Sequence, residues 1–274
     1  MSHALLGTAT LAYCGAGMGY LWYLVHPDPP APRIAFWSLA GGLLLHALAI
    51  ACGLLDHAFL PATNIREGLS LLAWMIGIAY LILGRRLRLP ILGAFILPIV
   101  LVIVFPALAV PIQDRPLTPA LHAGLLPLHV VAAFLGNALF ALAFGVGLVY
   151  LLQERELKRR GQLFAIWNKL PSLEILDGLN SRLVAWGFTL LTFAIVSGAL
   201  VAKRTWGSAW SWEPREALAF VTWVLFAGLI GARQLVGWRG RRVAVLTMIG
   251  FLLVMGSFVG LALCPVDRHG GTFQ

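Results

Sequence analysis

Residues 206–216 read Trp206-Gly207-Ser208-Ala209-Trp210-Ser211-Trp212-Glu213-Pro214-Arg215-Glu216 and stand between two apolar runs, 182–202 and 217–236. Each run is close to the ~20 residues a helix needs to cross the hydrocarbon of a bilayer. The segment therefore reads as a polar, aromatic connection between two membrane helices. Three indoles recur at spacings of four and two, Gly207 permits close backbone approach, and two carboxylates flank Arg215. Indole faces stack on planes and a guanidinium pairs with carboxylates, so the set suits a flat, mostly apolar, partly anionic ligand such as a porphyrin. Tryptophans also gather at the membrane–water boundary without any ligand. The segment alone leaves both readings open.

The rest of the chain agrees with a membrane setting. Of its 274 residues, 60% are hydrophobic and 11% charged, with a mean hydropathy of +0.87. No soluble domain needs that much apolar surface, so the expected fold is an all-α, polytopic membrane protein. Little chain is left outside the spans, which makes residues 1–274 one integral membrane domain with 203–216 as a segment within it. The net charge of +9 points to anchoring beside a lipid surface, not to nucleic acid, because the basic residues fall in short runs between spans. Cys14, Cys52 and Cys264 are separated by whole helices and form neither a disulfide framework nor a metal knuckle. The first apolar run follows a very short segment without a basic patch and reads as a retained span.

Eight spans are expected, at about 5–25, 34–54, 68–83, 90–110, 124–152, 182–202, 217–236 and 243–263, with a short interfacial helix at 170–179. Prolines at 27, 29, 30 and 32 end the first, since proline lacks the amide donor. Pro98 and Pro106 lie inside the fourth, where membrane helices tolerate them. Asn64 is a candidate cap, with Glu67 at the third following position as a capping box requires. His46 sits some twelve residues, or ~18 Å, into the second span. An imidazole at that depth faces another helix or a ligand, and either an interhelical hydrogen bond or a haem contact satisfies the condition. His122 and His129 lie seven positions apart near the start of the fifth span, with His129 the better buried ligand.

Basic residues set the orientation. The connections 25–33, 84–89, 153–179 and 237–242 carry 12 of them, against 6 in the N-terminal segment, 55–67, 111–121, 203–215 and 265–274. Under the positive-inside rule both termini face outward. The tryptophan segment, His129 and His269 then share the outer, periplasm-like side. Two neutral imidazoles there could hold an iron porphyrin from opposite faces without any cysteine, with His122, His3 and His57 as rival ligands. Arg215 or Arg66 would meet carboxylates of the ligand. Glu213 and Glu216 either orient such groups or cap the seventh helix, whose first turn favours acids and proline.

Trp206-Gly-x-x-Trp210-x-Trp212-Glu213-Pro-Arg-Glu216 resembles the tryptophan-rich signature of the haem-handling membrane proteins of cytochrome c biogenesis, the CcsA/ResC/CcmC group. Pro61-x-x-Asn64-x-x-Glu67, Leu128-His129-Val130, Trp223 and Gly237-Trp238-Arg239-Gly240-Arg241-Arg242 are similar to further family segments, so the resemblance covers roughly residues 40–263. Size and order look closest to the compact CcsA/HemX-like branch. The resemblance implies haem b (iron protoporphyrin IX) presented at the outer face by Trp206, Gly207, Trp210, Trp212, Glu213, Arg215 and Glu216, with Asn64 and Arg66 of the outer-loop segment, and His46 as a membrane histidine that contacts haem within the span. It implies His129 and His269 as axial ligands, a ResB/CcsB-like membrane partner, attachment to apocytochrome c, and a bacterial inner membrane location. The chain would then be one subunit of a haem lyase, or, on the alternative reading, a HemX-like regulator of haem supply. Glu213 stands where aspartate is usual, and Gly231 where the CcsA pattern tends to offer a second membrane histidine.

Overall fold

The computed structural model describes residues 2–26, 29–57, 65–87, 89–110, 124–159 and 170–263, with side chains at all of these except 56, 57, 159, 206, 215 and 257–263. Among the described residues eight α-helices follow one another: α1 (Ser2–Val25), α2 (Pro30–His57), α3 (Ile65–Leu87), α4 (Gly93–Ala109), α5 (Leu126–Arg159), α6 (Leu173–Trp206), α7 (Pro214–Leu235) and α8 (Arg241–Leu263). A 3-10 turn at Pro90–Leu92 leads into α4. Six of these segments, from α2 to α7, are long and apolar enough to cross a membrane. At 24 and 23 residues, α1 and α8 also exceed the ~30 Å of hydrocarbon. The protein is an all-α, polytopic membrane protein, and the expected helix order is the observed one.

One expected element is corrected. The interfacial helix at 170–179 is not separate from the sixth span: α6 starts at Leu173 and runs unbroken for 34 residues. Ser172 supplies the start signal, its Oγ accepting the Ile175 N–H at 3.4 Å. The polar residues that seemed to end the interfacial piece have partners inside the bundle. Asp177 binds Arg233 of α7 at 2.8 Å, and buried Asn180 accepts from Thr247 of α8 at 3.1 Å. Pro98 and Pro106 lie within α4 as expected. The proposed Asn64 cap lies outside the described residues, immediately before the first residue of α3.

The helices pack in two sets. In the first, α1 lies against α2 and α4, and α3 against α4; in the second, α5 lies against α6 and α8, and α7 against α8 and α6. Helix α3 joins the sets by packing on α5. A single apolar core runs through both, with Tyr13, Leu72, Ile76, Leu97, Phe140 and Phe226 fully buried. Phe140 of α5 stacks on Phe226 of α7 at 4.0 Å between centroids, tying the α7–α8 pair back to the centre. Cys14 and Cys52 are free thiols on α1 and α2.

Candidate functional site

Helix α6 ends where the tryptophan segment begins, and Gly207 ends it. Its φ of +80° is the left-handed cap conformation, and its N–H returns to the Lys203 carbonyl at 3.1 Å. Lys203 and Arg204 in the last turn complement the helix dipole. The chain then loops through 207–213 to α7, which starts at Pro214 after Glu213 as N-cap residue. Glu216, one turn in, reaches back across the loop. Its Oε2 accepts the Ser211 N–H at 2.8 Å and the Ser211 hydroxyl at 3.1 Å. This carboxylate fixes the loop between the second and third indoles.

The loop is held in a costly shape. Trp212 has φ +58°, a conformation that costs a bulky L-residue roughly 1–2 kcal/mol. The strain leaves its indole 69% exposed. Trp210 meets Trp212 edge-on at 5.7 Å, and both stand edge-on to Phe220 of α7, at 6.2 and 6.4 Å. Phe220 stacks on Trp223 one turn below at 6.3 Å, and Trp223 leans on Phe188 of α6 at 5.5 Å. Trp223 Nε1–H donates to Thr192 Oγ1 of α6 at 2.9 Å. An aromatic ladder thus descends from the exposed loop into the α6–α7 seam. Trp210 Nε1 is buried and lacks a hydrogen-bond partner among the described residues. An orphaned indole N–H beside an exposed aromatic face fits a flat ligand that brings its own acceptor.

His129 meets the same stretch of α6 from α5. It lies in the first turn of α5, half-buried, with Nδ1 2.7 Å from the Ala194 carbonyl oxygen. A carbonyl can only accept, so Nδ1 carries the proton, and in the neutral ring the lone pair belongs to Nε2. A ring nitrogen held by the backbone in this way fixes the orientation of the imidazole, as it does in metal-binding histidines. Ser197 Oγ adds a longer contact at 3.4 Å while donating to the Phe193 carbonyl at 2.7 Å. Gly198 makes room for the ring, because a Cβ there would lie 2.7 Å from His129 Cε1. Ala194 and Gly198, four apart, let the two helices close on each other. Positions 194–198 precede Trp206 by 8 to 12 residues, so His129 lies ~12–18 Å along α6 from the base of the loop.

His46 has a different setting. It is fully buried, with Nδ1 3.0 Å from the Tyr13 hydroxyl of α1 and Nε2 2.8 Å from Ser70 Oγ of α3. Both nitrogens serve an interhelical node, the first of the two roles its depth allows. Arg66 is 8% exposed in the first turn of α3, next to Glu67. Asn64, His122 and His269 lie outside the described residues, as do the side chains of Trp206, Arg215 and His57. The structure therefore brings Trp210, Trp212 and Glu216 together with Phe220, Trp223 and Phe188. His129 joins the same stretch of α6 through Ala194. Among the described residues no group of three or more His, Cys, Asp or Glu side chains could hold a metal ion. Sequence reading missed Phe220, Phe188, Thr192 and Gly198. The small-residue spacing of Ala194 and Gly198 was the signal available for the last.

With the geometry in hand, comparison with known proteins is direct. The profile of the cytochrome c assembly protein family matches residues 62–264, a stretch that takes in His129 and the whole aromatic ladder. The chain belongs to the cytochrome c assembly protein family. Its relatives in that family include the cytochrome c biogenesis protein CcsA of Guillardia theta, 32% identical over 234 residues, covering 78% of this chain and 77% of the relative. CcsA of Synechococcus sp. (strain CC9902) is also 32% identical, over 86% of this chain and 90% of its own. Among solved structures, the cytochrome c haem lyase CcmF superposes with a TM-score of 0.60 at 16% identity over 98% of this chain. That likeness is one of fold, and the chain spans about half (52%) of that protein's length.

Proposed function

We propose that this member of the cytochrome c assembly family is the haem-handling membrane subunit of cytochrome c maturation. It presents or exports haem b at the outer, periplasmic face of a bacterial inner membrane, for attachment to apocytochrome c with a ResB/CcsB-like partner. The observation that carries this reading is the exposed Trp212 face beside the buried Trp210 Nε1–H, which has no hydrogen-bond partner among the described residues, with the His129 ring oriented by the Ala194 carbonyl on the same helix.

The residues divide the work by their chemistry. His129, on α5, and His269, on the tail that follows α8, would hold the haem iron. Exposed Trp212 offers a stacking face, and Trp210 Nε1–H a donor for a carboxylate. Arg215 and Arg66 pair with propionates, which Glu213 and Glu216 cannot do because like charges repel. Glu216 keeps the loop in register through Ser211, Gly207 sets the turn into it, and Trp206 and Asn64 would add further contacts to haem. Haem, when bound, supplies the vinyl groups that react with cytochrome thiols; the chain contributes binding and orientation. His46, with both nitrogens engaged, ties α1, α2 and α3 together.

The test is haem content and the reduced-minus-oxidised spectrum of the full chain purified in detergent, for wild type, His129→Ala and His269→Ala. Low-spin haem in the wild type, lost in both variants, is the expected result. A folded wild-type protein that stays haem-free despite ample supply would replace this reading with that of a HemX-like regulator.

A further inference from the structure

At the opposite end of the second helix set, α6, α7 and α8 enclose a groove of about 370 Å³. Its lining joins three arginines, Arg182, Arg233 and Arg239, to an apolar wall that includes Val184, Leu229 and Ile230. None of the lining residues is acidic. The nearest carboxylate is already committed: Asp177 binds Arg233 Nη2 at 2.8 Å through Oδ2 and the Gly240 N–H at 2.7 Å through Oδ1. Glu154 is likewise engaged, with Lys158 at 2.7 Å and Arg241 at 3.7 Å. Two arginine charges in the groove are therefore without a counter-ion among the described residues. Arg233 Nη1 and Ser181 Oγ, both on lining residues, are buried with no hydrogen-bond partner there. Unsatisfied donors in a positively charged pocket call for an anionic acceptor from outside the chain.

Its depth in the membrane narrows the choice. Trp186, one turn from Arg182 on α6, is 66% exposed, and Trp238 lies under the Arg242 guanidinium at 5.7 Å. Exposed indoles mark the headgroup level of a bilayer. An arginine tier at that level, with an apolar wall continuing along spanning helices, matches a molecule with a phosphate at one end and hydrocarbon at the other. We infer that the Arg182–Arg233–Arg239 groove binds the headgroup phosphate of an anionic phospholipid. The site is separate from the tryptophan segment and does not depend on haem.

Native mass spectrometry of the full chain in detergent tests this with three probes: phosphatidylglycerol, phosphatidylcholine and inorganic phosphate. Wild type retains one phosphatidylglycerol in preference to phosphatidylcholine, and millimolar inorganic phosphate leaves it bound. Arg182→Gln and Arg239→Gln each weaken retention about fivefold, and the double variant about 25-fold, as expected for arginines near a charged lipid surface. Arg233 is left unchanged because Asp177 depends on it, and unfolding temperature verifies that the variants fold. Arg85→Gln/Arg86→Gln, on another basic connection, leaves retention at the wild-type level. Equal retention of the two lipids, or an equal loss in the Arg85/Arg86 control, would overturn the inference. Displacement of the lipid by inorganic phosphate would assign the groove to the free anion instead.

Discussion

His46 and His129 both belong to membrane helices, both contact a neighbouring helix, and their chemistry is opposite. His46 is closed on two sides, by Tyr13 of α1 and Ser70 of α3, and the surroundings hold it at zero exposure. His129 is half-buried, and its firm anchor is a backbone carbonyl on one nitrogen. The difference lies in the partners. Hydroxyls adapt to either tautomer and turn a histidine into a structural cross-link, whereas a carbonyl fixes the proton on one nitrogen and defines the other. Depth in the membrane, the feature a sequence displays, does not separate the two; the identity of the facing atoms does.

Three substitutions sharpen that contrast. The largest effect is expected from His46→Ala, which strands the buried Tyr13 hydroxyl and opens a cavity among three helices. A loss of about 2–4 kcal/mol is expected, read as a lowered unfolding temperature in detergent, with haem per folded molecule unchanged. If His46→Ala instead abolished haem binding in a folded protein, the division of roles would fail. Next comes Gly198→Ala, whose new Cβ displaces the His129 ring and breaks its hold on Ala194. Haem affinity should fall about tenfold, with little change in stability beyond the local shift. Unaltered affinity there would mean that the carbonyl anchor does not orient the ring. The smallest is Trp212→Gly, which removes a positive-φ indole and should raise stability by about 1 kcal/mol while reducing haem retention. A variant that gained stability and kept its haem would leave the strain of this loop without a functional reason.

Much of the architecture was legible because membrane helices are written in length and apolarity. Proline clusters and basic stops placed most boundaries within a few residues. The failure at 170–179 has a specific cause. Asp177, Asn180 and Arg182 look like an interruption in a one-dimensional reading, yet Asp177 and Asn180 find partners on α7 and α8, so the helix continues through them. At the candidate site, the tryptophan segment and His129 were visible as residue types. Their arrangement was not, because it depends on residues of ordinary appearance: Thr192 as an acceptor for Trp223, Gly198 as space for an imidazole, and Phe220 as the link between loop and seam. Such roles arise from helix rotation, which apolar periodicity constrains poorly when all faces are apolar.

The unbroken α6 has a mechanical consequence. Its 34 residues form a rod of about 50 Å, gripped at one end by the Asp177–Arg233 pair and capped at the other by the Gly207 turn. His129 and Trp223 both fasten to its middle third, at Ala194 and Thr192. A rod without a joint behaves as a lever: tilting it about its middle moves its two ends in opposite directions by equal amounts. The tryptophan loop and the arginine groove therefore sit at the two ends of one stiff element.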